Sequence, residues 1–315
     1  MNTVLQIFGL ILGFVMLIKG ADIFVDACVK IAKRLKVPSV IIGLTIVAVG
    51  TGTPEVVIGV MASAGGSSEL AAGNVFGSNI FNLLFIIGLC AMLKPIALKF
   101  KEISKDFWLS VLAPAALLIA MFLLTDYIPR VGGVIFVTIF VIYMILLVHQ
   151  AMKNRNTSTE DSNETTHEVS MTKNIFLVLL GLALIIIGAH FAVTTAESIA
   201  IMLGITQRVI GITVIAVGTS LPELAVFLIS SKKGENEMAA GVIIGSNIFN
   251  ILFVLGVSGI VMPLPIDNSM KIDLAVLIVS KLVFLIFTLT NKKITRLEGL
   301  VFILMYVSYI AFIVF

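Results

Sequence analysis

Apolar residues run along this chain in blocks long enough to imply lipid rather than water as their solvent. Stretches such as IFGLILGFVMLI, FWLSVLAPAALLIAMFLL, IFLVLLGLALIIIG and LAVLIVSKLVFLIFTL approach or exceed the roughly 18 to 20 residues that carry a helix across a bilayer core of about 30 Å. Lipid offers no hydrogen-bond partner to irregular backbone, so these blocks predict helices. Spans fall near 5–27, 38–63, 70–93, 107–125, 131–150, 174–197, 206–231, 238–261, 271–290 and 297–315. The predicted fold class is therefore an all-α integral membrane protein of ten transmembrane helices. The first block lacks the basic head and cleavage pattern of a signal peptide and reads as the first span. Trp108, near the start of a span, reads as an interface anchor.

The pattern repeats. Residues 7–95 lie on residues 175–263 with a constant shift of 168 and no gap. Gly43 falls on Gly211, AVGTGTPE (Ala48 to Glu55) on AVGTSLPE (Ala216 to Glu223), GSNIFN (Ser78, Asn82) on GSNIFN (Ser246, Asn250), and Pro95 on Pro263. The chain divides into a first five-helix repeat over 1–150 (motif 43–88), a polar linker over 151–173, and a second repeat over 174–315 (motif 211–256). Five spans per copy is an odd number, which requires the copies to face opposite ways.

Charge placement agrees with inversion, because Lys and Arg in short loops favour the cytoplasmic side. Lys30, Lys33, Arg34 and Lys36 match a stretch with no basic residue, while Lys94, Lys99, Lys101 and Lys105 match Met262, Asp267, Ser269 and Asp273. In the other direction, Lys232 and Lys233 match Ala64 and Gly65. With basic loops inside, both termini lie outside, in a multi-pass protein of the cell (plasma or inner) membrane. The segment from Lys153 to Thr172, rich in Asn, Ser, Thr, Glu and Asp, reads as a solvated, disordered tether. Lys19 and Asp22, three residues apart, read as a local pair with Asp26 near the cytoplasmic interface, and Lys281 interrupts an apolar span.

Composition narrows the classes. Of the 315 residues 59% are apolar and 12% charged, with a net charge of +3, which leaves too little polar surface for a soluble globule and gives no footing for a nucleic-acid partner. Cys28 and Cys90 read as thiols, not as a disulfide framework.

The paired motifs carry the chemistry. Glu55 and Glu223 each sit in an otherwise apolar helix, where burying an ionisable group is costly and marks a functional site. Pro54 and Pro222 cannot donate to the carbonyls of Gly50 and Gly218, so both helices should break at membrane depth, freeing carbonyls and the hydroxyls of Thr51, Thr219 and Ser220. Ser78 with Asn82, and Ser246 with Asn250, share helix faces at i, i+4 spacing. Two carboxylates with amide, hydroxyl and carbonyl oxygens, and no His or Cys among them, suit a hard cation such as Ca2+ or Na+. Discontinuous helices in both halves point to a transporter's binding site. A cation channel is the competing class, and an enzyme lacks a nucleophile–base or metal–water arrangement here.

The strings AVGTSLPE and GSNIFN, present in two repeats, resemble the cation/calcium exchanger superfamily, in particular its prokaryotic sodium/calcium exchangers, over nearly the whole chain. The resemblance implies the sodium/calcium exchanger fold, with the first helix of each repeat as a sliding gate, and a secondary antiporter that exchanges Ca2+ for Na+ by alternating access. It implies metal-ligand positions at Ala48, Thr51, Glu55, Ser78, Asn82, Ala216, Thr219, Ser220, Glu223, Ser246 and Asn250. No resident cofactor is implied; Ca2+ and Na+ are cargo, the bilayer is the surroundings, and the functional unit is a monomer. Gly52 stands where the family has a serine and Thr53 where it has leucine, and Asn250 stands where some sodium/calcium members carry aspartate. Ca2+/H+ antiport is therefore the alternative, with protons in place of Na+.

Overall fold

The computed structural model describes residues 3–66, 68–97, 99–123, 127–157, 170–203, 216–265, 268–291 and 293–314. In chain order the elements are α1 (Thr3–Leu35), α2 (Ser39–Thr51, π-helical over Gly43–Val47) and α3 (Thr53–Ala64). Then α4 runs Ser68–Ile80, takes a π-helical turn over Phe81–Ile86 and resumes as Ile87–Leu93. Next come β1 (Ile96–Ala97), α5 (Phe100–Leu123), β2 (Tyr127–Ile128), α6 (Arg130–Thr157) and α7 (Met171–Met202). The remaining elements are α8 (Ala216–Thr219), α9 (Leu221–Lys232), α10 (Asn236–Val261, π-helical over Phe249–Val254), β3 (Leu264–Pro265), α11 (Asn268–Asn291), β4 (Lys293–Ile294) and α12 (Arg296–Val314).

Among the described residues eight helices are long and apolar enough to cross a membrane, and the broken pair α2 and α3 makes a ninth. The span expected near 206–231 begins on residues 204–215, which lie outside the described residues together with Gly211. Helix α1 is longer than expected. Lys33 and Arg34 occupy its last turn, where positive charge complements the exposed carbonyls, and a left-handed Lys36 (φ 54°) closes it with a Val37 N–H to Ala32 carbonyl bond of 2.9 Å ahead of Pro38. Helix α6 continues through Lys153 to Thr157, so the tether is shorter than its composition suggests; residues 158–169 lie outside the described residues.

The chain forms two compact units. The first comprises Met1–Thr51 and Tyr143–Val242, the second Gly52–Ile142 and Ile243–Phe315, so each draws on both halves of the sequence.

In the first unit α1 packs along α7 through paired glycines. A Cβ on Gly13 would lie 2.8 Å from the Gly188 carbonyl oxygen, and one on Gly20 would lie 2.9 Å from that of Gly181. Gly13 and Gly181 are equivalent under the shift of 168, as are Gly20 and Gly188. The first helix of one copy therefore meets the first helix of the other running the opposite way, and only glycine lets the backbones come this close. The structure also corrects the pairing of Asp22: its Oδ1 lies 2.7 Å from Nζ of Lys233, which Asp26 also contacts, rather than pairing locally with Lys19.

In the second unit the same device recurs twice. Gly88 packs against Gly299, and Gly256 packs against Gly133, each with backbone oxygen where a side chain would start. Two short antiparallel pairings, β1 with β4 (Ile96 opposite Ile294) and β2 with β3 (Ile128 opposite Leu264), join loops of one half of the sequence to loops of the other. Helix α4 lies in contact with α3, α11, α12 and the π-turn of α10.

Candidate functional site

Each motif helix is interrupted one residue after its Gly-Thr. Gly52 (φ −80°, ψ 3°) separates α2 from α3, and Ser220 (φ −94°, ψ 7°) separates α8 from α9. The new helix then carries proline in its first turn, where a missing N–H leaves no bond unmade. Glu55 and Glu223 also fall in those first turns, at the helix end whose unpaired N–H groups favour negative charge. That placement offsets part of the cost of enclosing a carboxylate, and both are fully buried.

Within the first unit, α9 packs on α2 and α8; Thr51 ends α2, Thr219 ends α8, Ser220 lies at the break and Glu223 on α9, all buried. The Thr51 hydroxyl donates to the Val47 carbonyl at 3.0 Å, which uses its proton and leaves oxygen lone pairs for a cation. Ala48 is buried on α2; the side chain of Ala216 lies outside the described residues.

Within the second unit, α3, α4 and α10 pack on one another and carry Glu55, Ser78, Asn82, Ser246 and Asn250, each at most 2% exposed. Asn82 and Asn250 both sit inside π-helical turns, at equivalent positions. Such turns interrupt the regular bond ladder and re-aim side chains. Paired rings brace them: Phe81 stacks on Phe85 at 4.8 Å and Phe249 on Phe253 at 5.0 Å.

Several of these residues lack the hydrogen bond that many helix hydroxyls make, a property they share with Ser63, Ser230 and Ser258. Thr45, Thr138, Ser198, Ser280, Thr288 and Thr290 all return their hydroxyls to the carbonyl four residues back. Among the described residues the Ser220 and Ser246 hydroxyls and both amide atoms of Asn82 and Asn250 are buried with no hydrogen-bond partner. Each such group costs about 1–3 kcal/mol unless something binds it, so the structure holds these unpartnered polar groups at a cost in stability.

Sequence reasoning passed over Asn79 and Asn247, the middle amides of the two GSNIFN strings. Asn79 donates from Nδ2 to the Val75 carbonyl at 2.8 Å and buries its Oδ1 without a partner among the described residues, as Asn247 does. Their identity in both strings was the available signal. The π-turns had none, since Phe81 and Phe85 at i, i+4 fit a regular helix equally well.

The chain is similar to known proteins in both sequence and structure. The family model described as sodium/calcium exchanger protein matches residues 5–149 and 173–315. A putative antiporter CaxA of Alkalimonas amylolytica is 39% identical over 306 residues, 95% of each chain. Sodium/calcium exchanger MaX1 of Methanosarcina acetivorans is 33% identical over 96% of each chain. The solved structure of the sodium-calcium exchanger NCX_Mj, soaked with Na+ and without Ca2+, superposes with a TM-score of 0.85 at 31% identity, covering 98% of this chain and 99% of that one. With its helices broken at equivalent buried glutamates, the chain belongs to the sodium/calcium exchanger family and is a multi-pass membrane antiporter of cations and Ca2+, not an enzyme.

Proposed function

We propose that this protein exchanges Ca2+ for Na+ by alternating access. The observation that carries the reading is the pair of fully buried glutamates at equivalent helix breaks, accompanied by buried amide and hydroxyl groups that find no partner among the described residues. Glu55 and Glu223 supply the charge, Ser78, Asn82, Ser246, Asn250, Thr51, Thr219 and Ser220 supply neutral oxygens, and Ala48 and Ala216 supply carbonyls. A single Ca2+, or two monovalent cations, neutralises the carboxylates. An empty site would carry both negative charges through a low-dielectric barrier, so loaded states switch and empty ones resist. In this reading the first helix of each repeat (repeats 1–150 and 174–315, joined by 151–173) slides as the gate, a monomer suffices, and both termini face outside.

The sequence also favours a second reading, Ca2+/H+ exchange. Gly52 supplies no hydroxyl where Ser220 supplies one, and Asn250 supplies no carboxylate, which leaves fewer charged or hydroxyl ligands for Na+. Uptake of 45Ca2+ into proteoliposomes under an imposed sodium gradient or an imposed pH gradient separates the two, using wild type and Glu223→Gln. Sodium-driven uptake that the variant loses supports the first reading. Uptake driven only by pH selects the second, and no Ca2+ flux under either gradient refutes both.

A further inference from the structure

Lys233 caps the C-terminal end of α9, the helix whose first turn carries Glu223, roughly 15 Å away along its axis. Its Nζ reaches across to α1, where it lies 2.7 Å from Asp22 Oδ1 and 2.5 Å from Asp26 Oδ1 and donates to the Asp22 carbonyl at 3.2 Å. That is one oxygen for each of the three N–H donors of a lysine. Helix α1 also meets α9 through apolar side chains, with Phe24, Ala27 and Cys28 in one buried cluster with Ala225 and Val226. All of these residues belong to the first unit. Apolar burial is non-directional, whereas an ion pair is strong only at short range, so the Lys233 contacts distinguish one register of α1 along α9 from the next.

The charges along that stripe of α1 are ordered. Ile18, Asp22, Asp26 and Lys30 succeed one another at one-turn spacing. A shift of α1 by one turn, about 5.4 Å, toward its N-terminal end would put Lys30 in the place of Asp26, and the opposite shift would put Ile18 in the place of Asp22. Attraction to Lys233 is therefore greatest in the register observed, falls in one direction and turns partly to repulsion in the other. Under the shift of 168, Asp22, Asp26 and Lys233 correspond to His190, Thr194 and Gly65, with neither carboxylate nor ammonium among them. Thr194 instead returns its hydroxyl to the His190 carbonyl of its own helix at 2.9 Å. We propose that Lys233 is a one-sided latch: it holds α1 in this register and so biases the exchanger toward one of its two access states, an asymmetry that identical repeats would lack. The inference rests on the sliding of α1 in the exchange reading given above.

Apparent affinity at each face scales with the fraction of protein open to that face, so the ratio of the half-saturating Ca2+ concentrations at the two faces reports the equilibrium between the access states. Uptake of 45Ca2+ is measured in right-side-out and in everted membrane vesicles that hold the full-length protein. Exposed ion pairs shift an equilibrium by at most about fivefold, and Lys233→Met should change the ratio by about two- to fivefold. Lys233→Arg should preserve it, and adding Asp22→Asn with Asp26→Asn to Lys233→Met should change it no further. The two asparagine substitutions alone serve if Lys233→Met does not fold. Lys232→Met removes a neighbouring exposed charge and should leave the ratio nearly unchanged. An unchanged ratio in Lys233→Met, both concentrations moving by one common factor, or an equal response to Lys232→Met would overturn the latch while leaving the exchanger reading intact. No Ca2+ uptake by the wild type in either kind of vesicle would overturn both.

Discussion

Substituting Gly181 by alanine tests the seam between α1 and α7. The new Cβ would lie 2.8 Å from the Phe24 nitrogen, 2.9 Å from the Gly20 oxygen and 2.9 Å from the Phe24 Cβ. None of these atoms can swing away, so the helices must part by about 0.6 Å to restore ordinary contact. Overpacking of this kind costs about 1–3 kcal/mol, against about 0.5–1 kcal/mol that alanine gains over glycine within a helix. The net is a loss of up to about 2.5 kcal/mol. Gly9 is the control, because its Cβ would meet only the Thr195 side chain, its hydroxyl at 3.1 Å and its methyl at 3.7 Å, and no backbone atom. Gly9→Ala should be neutral or stabilising. Denaturation midpoints in detergent give both values. Once the seam has opened, Gly20→Ala should add less in combination than alone, with a coupling above about 0.5 kcal/mol. A Gly181→Ala protein as stable as Gly9→Ala would refute the close approach on which this reasoning depends.

Other expectations concern polar groups. Asn250→Leu removes a buried amide without a partner among the described residues, so it should hold or raise the melting temperature while weakening Ca2+ binding by at least about tenfold, or about 1.4 kcal/mol; a parallel loss of stability and binding would contradict it. Ser220→Gly makes the second break resemble the first, and should raise the Na+ concentration for half-maximal exchange with little change in thermal stability. Burial disfavours the Lys233 charge, but the Asp22 and Asp26 carboxylates outweigh that and raise its pKa above the ordinary 10.5. Its contribution, below about 1 kcal/mol for so exposed a cluster, is present at neutral pH and lost as pH rises through that raised value. A melting-temperature profile of Lys233→Met against wild type should therefore converge only at strongly alkaline pH.

Much of the site was legible because duplication wrote it twice. The shift of 168 identifies the helix breaks, both glutamates and both GSNIFN strings without any structure, and physical chemistry alone makes Glu55 and Glu223 candidates to hold a cation. What escaped depended on distant partners. Asp22 reads as a neighbour of Lys19 until the fold brings Lys233 to it from far along the chain. Lys281 could have reached an interface from its place in sequence; only the packing of its helix encloses it. The extension of α1 to Leu35 runs through charged residues that a hydropathy reading assigns to a loop.

The four short strands bear on synthesis. Ile96 pairs with Ile294, and Ile128 with Leu264, so no strand in the first half has its partner until the second half has been made. At about 5–20 residues per second, the roughly 200 residues between β1 and β4 take about 10–40 s to emerge. During that interval the leading half waits in the bilayer with its strands unpaired, and its assembly is completed by the trailing half. Two separately translated halves inserted into one membrane would face the same wait, ended by encounter instead of elongation.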